Sequence, residues 1–203
     1  SDWSYKTYQQ DFVDMTAAWK QDYPNIRNYY VFQVWPFPCG MGPKDDQLRE
    51  AQRTLPRIFS HLRVMSTLGI ASPGTGRGLC HYDLAGYEQM AALMSPLVEL
   101  DNYGLKPARE VTAPNLTRAW FTSAAKDEIA LDFGQPMMWK DVMKNEIYLD
   151  GVKAAVSAGS VSGNVITLNL GAPSDAKVIG YISGRDWDGK PTNLIYGANG
   201  IAA

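Results

Sequence analysis

One histidine in this sequence stands where a general base could act. A mostly apolar run over residues 62–70 predicts a strand and ends in a glycine-rich loop, and the loop leads to His81 directly before a predicted helix. In parallel α/β sheets, ligands bind at the carboxyl ends of the strands, and histidine is the side chain most often used as a general base. The spacing alone leaves open a solvated histidine or one that bonds a backbone carbonyl.

The helix after His81 carries its own start signal. Asp83 suits the N-cap position, because its carboxylate can accept from the free amides of the first turn. Apolar residues then recur at helical spacing and predict one buried face. These residues are Leu84, Tyr87, Met90, Ala91 and Met94.

Two helices and one strand are predicted before this point. An amphipathic helix ends before Pro24, and a second helix over 45–59 should be kinked or shortened by Pro56. Between them, residues 29–37 are aromatic and β-branched, which suits a strand buried on both faces of a parallel sheet. Gln33 is the polar side chain of that strand. It could contact substrate, or it could be a buried amide that braces the sheet.

The alternation of helices and strands predicts a doubly wound α/β fold over residues 1–104. Only two strands are predicted there, and two parallel strands do not close a stable core. We therefore expect this part to belong to a larger sheet, the rest of which lies outside the chain. His61 would lie at the opposite edge of the sheet from His81, and we interpret it as structural.

The pattern changes after Gly104. From about residue 116 the apolar period becomes two, as in the alternation of Ile166, Leu168 and Leu170 with polar residues. Turn residues such as Asp150-Gly151 separate the short predicted strands. This pattern predicts an antiparallel β-sandwich or partial barrel over 105–203.

Composition narrows the partners and cofactors. The chain has 203 residues and a net charge of −2, without a basic tract, so we expect neither nucleic acid nor a membrane as a partner. Two cysteines and two histidines match no common zinc spacing, and we expect neither a metal nor a cofactor. Cys39 and Cys80 both follow strand-like runs and could form a disulfide in an oxidising compartment. Two free, partly buried thiols are the alternative.

Several motifs together carry a resemblance. G-L-C-H-Y-D-L-A-G-Y-E, which contains His81, resembles the last conserved block of SGNH hydrolases, in the branch of sialate O-acetylesterase-like carbohydrate esterases. W-K-Q-D-Y-P, Y-Y-V-F-Q-V and L-R-E-A-Q-R precede it in the order of that branch, and D-N-Y-G resembles the close of its α/β domain. A-P-N-L, I-A-L-D-F, V-I-G-Y-I and N-L-I-Y resemble its C-terminal β domain.

The resemblance implies a fold and an activity. Residues 1–104 would be the C-terminal portion of a flavodoxin-like, three-layer SGNH domain, and 105–203 an all-β accessory domain. The enzyme would be a serine esterase that removes acetyl groups from a carbohydrate, secreted or periplasmic, with His81 activating the serine. Its partners would be the acetylated carbohydrate and the N-terminal fragment of the same enzyme.

Two departures from the family pattern affect this expectation. The family's D-x-x-H block has an aspartate three residues before the histidine, and here that position is Gly78. The nucleophilic serine cannot be placed either: Ser66 is predicted within a strand, Ser72 precedes a proline in the loop, and Ser95 lies late in a helix. We therefore expect this chain alone to be inactive.

A non-catalytic function is the alternative. The β-rich half contains Trp120, Trp139 and Trp187, and sugar rings stack on exposed aromatic faces. A carbohydrate-binding module would need these rings in solvent, whereas buried rings would indicate core packing. A degenerate, purely structural homologue is a further alternative.

Overall fold

The chain divides into two compact units, Ser1–Thr112 and Ala113–Ala203. The computed structural model describes residues 5–36, 44–70, 81–184 and 186–203. Its mixture of helices and strands agrees with the predicted α/β class. The finer assignment, an SGNH portion ending at Gly104 followed by a β-sandwich, stays a prediction.

The first unit follows the order helix, strand, helix, strand, helix. Its elements are α1 (Tyr8–Asp22), β1 (Tyr29–Phe32), α2 (Lys44–Thr54), β2 (Leu62–Met65) and α3 (Leu84–Tyr103). The two strands pair in parallel, from Tyr29 opposite Leu62 to Phe32 opposite Met65. Both strands are shorter than the apolar runs that predict them.

Pro56 ends the second helix as the sequence predicts. After Thr54 the chain tightens into a 3-10 turn, Leu55–Arg57. Proline has no amide hydrogen for the α-helical ladder and its ring clashes with the preceding turn. The tighter turn places Leu55 in the core.

One face of the parallel pair packs against the helices that precede its strands. Phe12 of α1, Leu55 and Leu62 form a buried cluster. Tyr29 and Val31 of β1 add to it, since alternate residues of a strand point to the same face. The Phe12 and Phe59 rings meet edge to face, with centroids 5.3 Å apart.

The opposite face of the pair is tied to the end of α3 by polar side chains. Arg63 of β2 donates two hydrogen bonds to the Asp101 carboxylate, at 3.0 and 2.7 Å. Asn102 donates to the Tyr30 hydroxyl at 2.8 Å. Hydrogen bonding to Arg63 lowers the pKa of Asp101 below its ordinary value. Helices thus contact both faces of the pair.

The structure corrects the expected burial of β1. Residues 29–32 are all half-buried, whereas a strand buried on both faces was predicted. In the described part of the chain, β1 has β2 as its neighbour on one side only. That this run belongs to a larger sheet stays a prediction.

The predicted face of α3 is also wrong. Met94 is buried as expected, but Leu84 is 75% exposed and Tyr87 is 47% exposed. The buried stripe instead runs through Gly86, Met94 and Leu97. The stripe begins at Gly86 and leads to Asp101, which forms an ion pair with Arg63. A count of apolar side chains includes neither glycine nor aspartate, so it selects the wrong face.

The second unit is built from antiparallel strands. The strands are β3 (Arg118–Phe121), β4 (Glu128–Asp132), β5 (Met137–Met138), β6 (Ile147–Leu149), β7 (Val152–Lys153), β8 (Val156–Ser162), β9 (Val165–Leu170), β10 (Ile179–Tyr181) and β11 (Tyr196–Gly197). Within 113–184 and 186–203, one sheet has the order β3-β4-β9-β8, another β10-β6-β7, and a short pair joins β11 and β5.

All three sheets contribute to one hydrophobic core in this unit. Ile166, Leu168 and Leu170 of β9 are buried on alternate positions, as the period of two predicts. They pack in the same cluster as Met137 of β5 and Ile147 of β6. Asp150 and Gly151 both have positive φ, as the type I′ turn between β6 and β7 requires.

No helix in the described ranges is both long enough and apolar enough to cross a bilayer.

The Arg63–Asp101 pair gives a prediction for stability. Asp101→Asn keeps the side-chain shape but removes the charge, and we expect the free energy of unfolding at neutral pH to fall by about 1 kcal/mol. Because the folded-state pKa of Asp101 is lowered, the wild-type advantage is present above the ordinary carboxyl pKa. It is lost as the pH falls through the folded-state value.

Urea unfolding of both proteins across that pH range measures the difference. Glu99→Gln, at an exposed position of the same helix, is the control and should change little. Equal effects of the two substitutions would show that the Arg63 contact contributes nothing.

Candidate active site

His81 lies in a bend two residues before the N-cap of α3, and its side chain is exposed. Among the described residues, the structure records no hydrogen bond that engages its imidazole. Solvent therefore reaches this residue, as the transfer of a proton by a general base requires.

Asp83 caps the helix that follows. Its backbone is extended, and its side chain accepts from the Gly86 amide at 2.9 Å. This confirms the predicted N-cap. The carboxylate accepts from a free amide of the first turn, and its negative charge interacts favourably with the positive end of the helix dipole. The carboxylate is thus engaged by the helix that begins behind His81.

Tyr82, between the histidine and the cap, joins three parts of the first unit. Its ring meets the Trp35 ring edge to face with centroids 5.9 Å apart, and the Tyr87 ring at 6.1 Å. Its hydroxyl donates to the Thr67 carbonyl at 3.3 Å. Trp35 follows β1 and Thr67 follows β2, so the chain next to His81 lies at the carboxyl end of the parallel pair.

The contact between Tyr82 and Tyr87 is a hydrophobic staple, the pairing of the residue before the N-cap with the fourth residue of the helix. Our sequence analysis missed it, together with the roles of Trp35 and Gly86. The spacing Y-D-x-x-x-Y was the available signal. The helical period instead assigns Tyr87 to the buried face of the helix.

Backbone and side-chain hydrogen bonds hold the chain just beyond the two strands. The Gln33 backbone N–H donates to the Met65 backbone carbonyl at 2.9 Å, and the Thr67 hydroxyl donates to the Gln33 backbone carbonyl at 2.9 Å. The Gln33 side chain is buried and donates to the Arg49 carbonyl of α2 at 2.9 Å. Gln33 therefore braces the sheet against α2, and its contact with substrate stays a prediction.

Gln52 extends this bracing from α2. Its side-chain oxygen accepts from the Val34 amide at 2.8 Å, and its side-chain nitrogen donates to the Tyr8 hydroxyl at 3.2 Å. One buried amide thus joins the segment after β1 to helix α1. The Gln52 side chain thus replaces a ladder hydrogen bond for the Val34 amide just after the strand ends.

The serines considered as nucleophiles do not gain support. Ser66 follows β2 rather than lying within it, and it is buried with its hydroxyl accepting from the Leu68 amide at 3.3 Å. Ser95 is exposed within α3. Ser72 lies outside the described residues, as do Gly78, Cys39 and Cys80, so the disulfide stays a prediction. The described ranges contain no cluster of side chains able to hold a metal ion.

The three tryptophans of the second unit differ in how deeply they are buried. Trp187 is 2% exposed, and Trp120 and Trp139 are half-buried. The Trp139 ring lies directly over the Gly159 backbone and leaves no room there for a Cβ atom. Core packing is therefore clear for Trp187, whereas Trp120 and Trp139 keep part of their surface exposed.

A cleft of about 550 Å³ also lies in the second unit. Its walls are mostly apolar, with Lys140 and Thr192 as polar exceptions, and the Tyr196 hydroxyl is bonded to the Pro191 carbonyl at 3.0 Å. The cleft is lined by Met138, Lys140, Val142, Met143, Pro191, Thr192, Tyr196 and Gly200. It offers van der Waals contact but no activated nucleophile.

No protein-family model and no curated protein matches this chain.

The N-cap generates a prediction. Asp83→Ala should lower the free energy of unfolding by about 1 kcal/mol, because the Gly86 amide loses its acceptor. Asp83→Ser, which can still cap the helix, should stay close to wild type. Thermal unfolding of the three proteins compares them. If the serine variant is as unstable as the alanine variant, capping is not what Asp83 contributes.

The buried carboxyl group of Glu146, in the second unit, generates a second prediction. Glu146 is 3% exposed, accepts a hydrogen bond from Asn193, and has no hydrogen-bond partner for Oε2 in the described part of the chain. Burial raises its pKa, and the charges of Asp188 and Asp186 act in the same direction. The stabilisation from its proton is therefore complete below the unfolded-state pKa and is lost as the pH rises through the folded-state value.

Glu146→Gln removes the buried charge. We expect the free energy of unfolding of the variant to exceed that of wild type by about 1 kcal/mol at neutral pH. The difference should shrink in mild acid. Urea unfolding as a function of pH measures it. A variant that is less stable than wild type at neutral pH would contradict the assignment.

Proposed function

We propose that this chain is the part of a carbohydrate O-acetylesterase that supplies the catalytic histidine, His81, together with an accessory β domain. The observation that carries the proposal is the position of the imidazole. It is exposed, and the adjoining residue is anchored to the segments that follow both parallel strands. The resemblance of the motifs to sialate O-acetylesterase-like enzymes supplies the substrate class.

His81 would act as a general base and then as a general acid. A serine hydroxyl on another stretch of polypeptide attacks the acetyl carbonyl carbon while His81 takes its proton. The imidazolium then returns that proton to the sugar oxygen as the ester bond breaks. Water hydrolyses the acetyl-serine by the same route, releasing acetate and restoring both groups.

The orientation of the imidazole needs a partner other than the usual aspartate. Gly78 stands in that position, and the Asp83 carboxylate accepts from the Gly86 amide. A backbone carbonyl can hold the ring tautomer in place of a carboxylate. The proposed site is therefore a Ser-His dyad.

The missing nucleophile is proposed to come from the N-terminal fragment of the same enzyme. Two features of the first unit support further polypeptide there. In the described residues β1 and β2 each have one neighbouring strand, and all of β1 is half-buried. Parallel sheets are usually larger and covered on both faces, and added strands would also bring a loop to the edge where His81 lies.

The competing function is a non-catalytic carbohydrate-binding or structural module. The half-buried and buried tryptophans of the second unit give sugar stacking little support. Binding on a glycan array, without hydrolysis by the completed enzyme, would favour that alternative.

We expect the isolated chain to release no p-nitrophenol from p-nitrophenyl acetate above the buffer rate, because Ser66 is buried with its hydroxyl bonded and Ser95 lies within α3. A rate that is present in this chain and abolished by His81→Ala would contradict the need for a second polypeptide.

The decisive measurement uses the chain together with the proposed N-terminal fragment. His81→Ala should lower kcat for deacetylation of an acetylated sugar by about 10²–10⁴-fold, the usual contribution of a general base. His61→Ala is the matched control, since His61 lies just before β2, at the opposite end of the strand. Equal rates for the His81 variant and wild type would refute the proposal.

A further inference from the structure

We propose that Tyr82 is the positioning residue of the histidine: its ring and hydroxyl lock the backbone beside His81 to the carboxyl ends of both strands. The catalytic meaning of this lock rests on the proposed function. The lock itself is a property of the chain and can be tested without activity.

The contacts of Tyr82 come from three different segments. The Trp35 ring, after β1, is nearly perpendicular to it at 86°, and the Tyr87 ring in α3 meets it at 72°. The Thr67 carbonyl, after β2, accepts from its hydroxyl. A side chain fixed from three directions leaves its own backbone little freedom, and His81 is the next residue along that backbone.

Gly86 is shaped to receive the Tyr82 ring. A Cβ atom at Gly86 would lie 2.7 Å from Tyr82 Cδ1 and 2.8 Å from Tyr82 Cβ. The Cβ atom of Tyr82 cannot move aside by rotation of its side chain, so the clash can be relieved only by moving the backbone. A Gly86→Ala change would therefore displace the chain next to His81.

The chemistry of the tyrosine suits a permanent anchor. Tyr82 is half-buried whereas His81 is exposed. The tyrosine therefore makes the packing contacts, and the imidazole stays in solvent. Burial raises the pKa of Tyr82 to about 12. Its hydroxyl therefore stays protonated and keeps donating to Thr67 over the pH range in which a histidine can act as a base.

The test measures the mobility of His81 directly. The chain contains two histidines, so a sample labelled with ¹⁵N and ¹³C at histidine gives two sets of signals, with His61 as the internal reference. We expect the His81 amide order parameter to fall from a rigid value of about 0.85 to below about 0.6 in Tyr82→Ala. The His61 signals should not change.

Two further variants separate the ring from the hydroxyl. Tyr82→Phe keeps the ring contacts and removes the bond to Thr67, so His81 should loosen by a smaller amount. Tyr23→Phe removes a hydroxyl from an exposed tyrosine and is the matched control. Gly86→Ala should shift the His81 signals although Tyr82 itself is retained.

A folded Tyr82→Ala variant with unchanged His81 relaxation would overturn the proposal. If that variant does not fold, equal His81 relaxation in Tyr82→Phe and Tyr23→Phe would overturn it instead. In the completed esterase, Tyr82→Ala should lower kcat with little change in KM. Loosening of His81 in an enzyme without deacetylase activity would refute the proposed function but leave the positioning role standing.

Discussion

The free amides at the start of α3 impose the constraint on which the rest of the first unit depends. A helix that begins at the edge of a sheet needs acceptors for its first turn and an apolar contact to fix its direction. Asp83 supplies the acceptor and Tyr82 supplies the contact, by packing on Tyr87 and Trp35. Because Tyr82 and Asp83 make these structural contacts, His81 before them has an exposed side chain and a fixed backbone position.

Side chains also satisfy the backbone groups at the ends of the two strands. Where β1 and β2 stop pairing, their backbone groups still need partners, and the structure meets that need with buried amides and a hydroxyl. Gln33 reaches α2, Gln52 reaches the Val34 amide, and Thr67 reaches the Gln33 carbonyl. These bonds hold the segments after β1 and β2, which contain Trp35 and Thr67. Because Tyr82 contacts both residues, the backbone beside His81 is held to the sheet through them.

The sequence predicts those features that depend on local chemistry or on a simple period. The cap at Asp83, the break at Pro56 and the alternation of Ile166, Leu168 and Leu170 belong to this class. It fails where a position is decided by a contact that the apolar period does not record. The buried stripe of α3 starts at Gly86 because Tyr82 lies against it, and beyond Leu97 it leads to Asp101, which pairs with the distant Arg63. Counting apolar residues therefore selects the wrong face.

The site shows the same division. His81 can be singled out from its junction and from the motif around it, since both are contained in a few consecutive residues. Its support cannot, because Trp35 and Thr67 are separated from Tyr82 in sequence and meet it only when the parallel pair forms. A general base must keep one position relative to its nucleophile through both halves of a reaction. For a histidine in a loop, that requirement falls on the neighbouring residues, and here it falls on an uncharged aromatic ring rather than on a carboxylate.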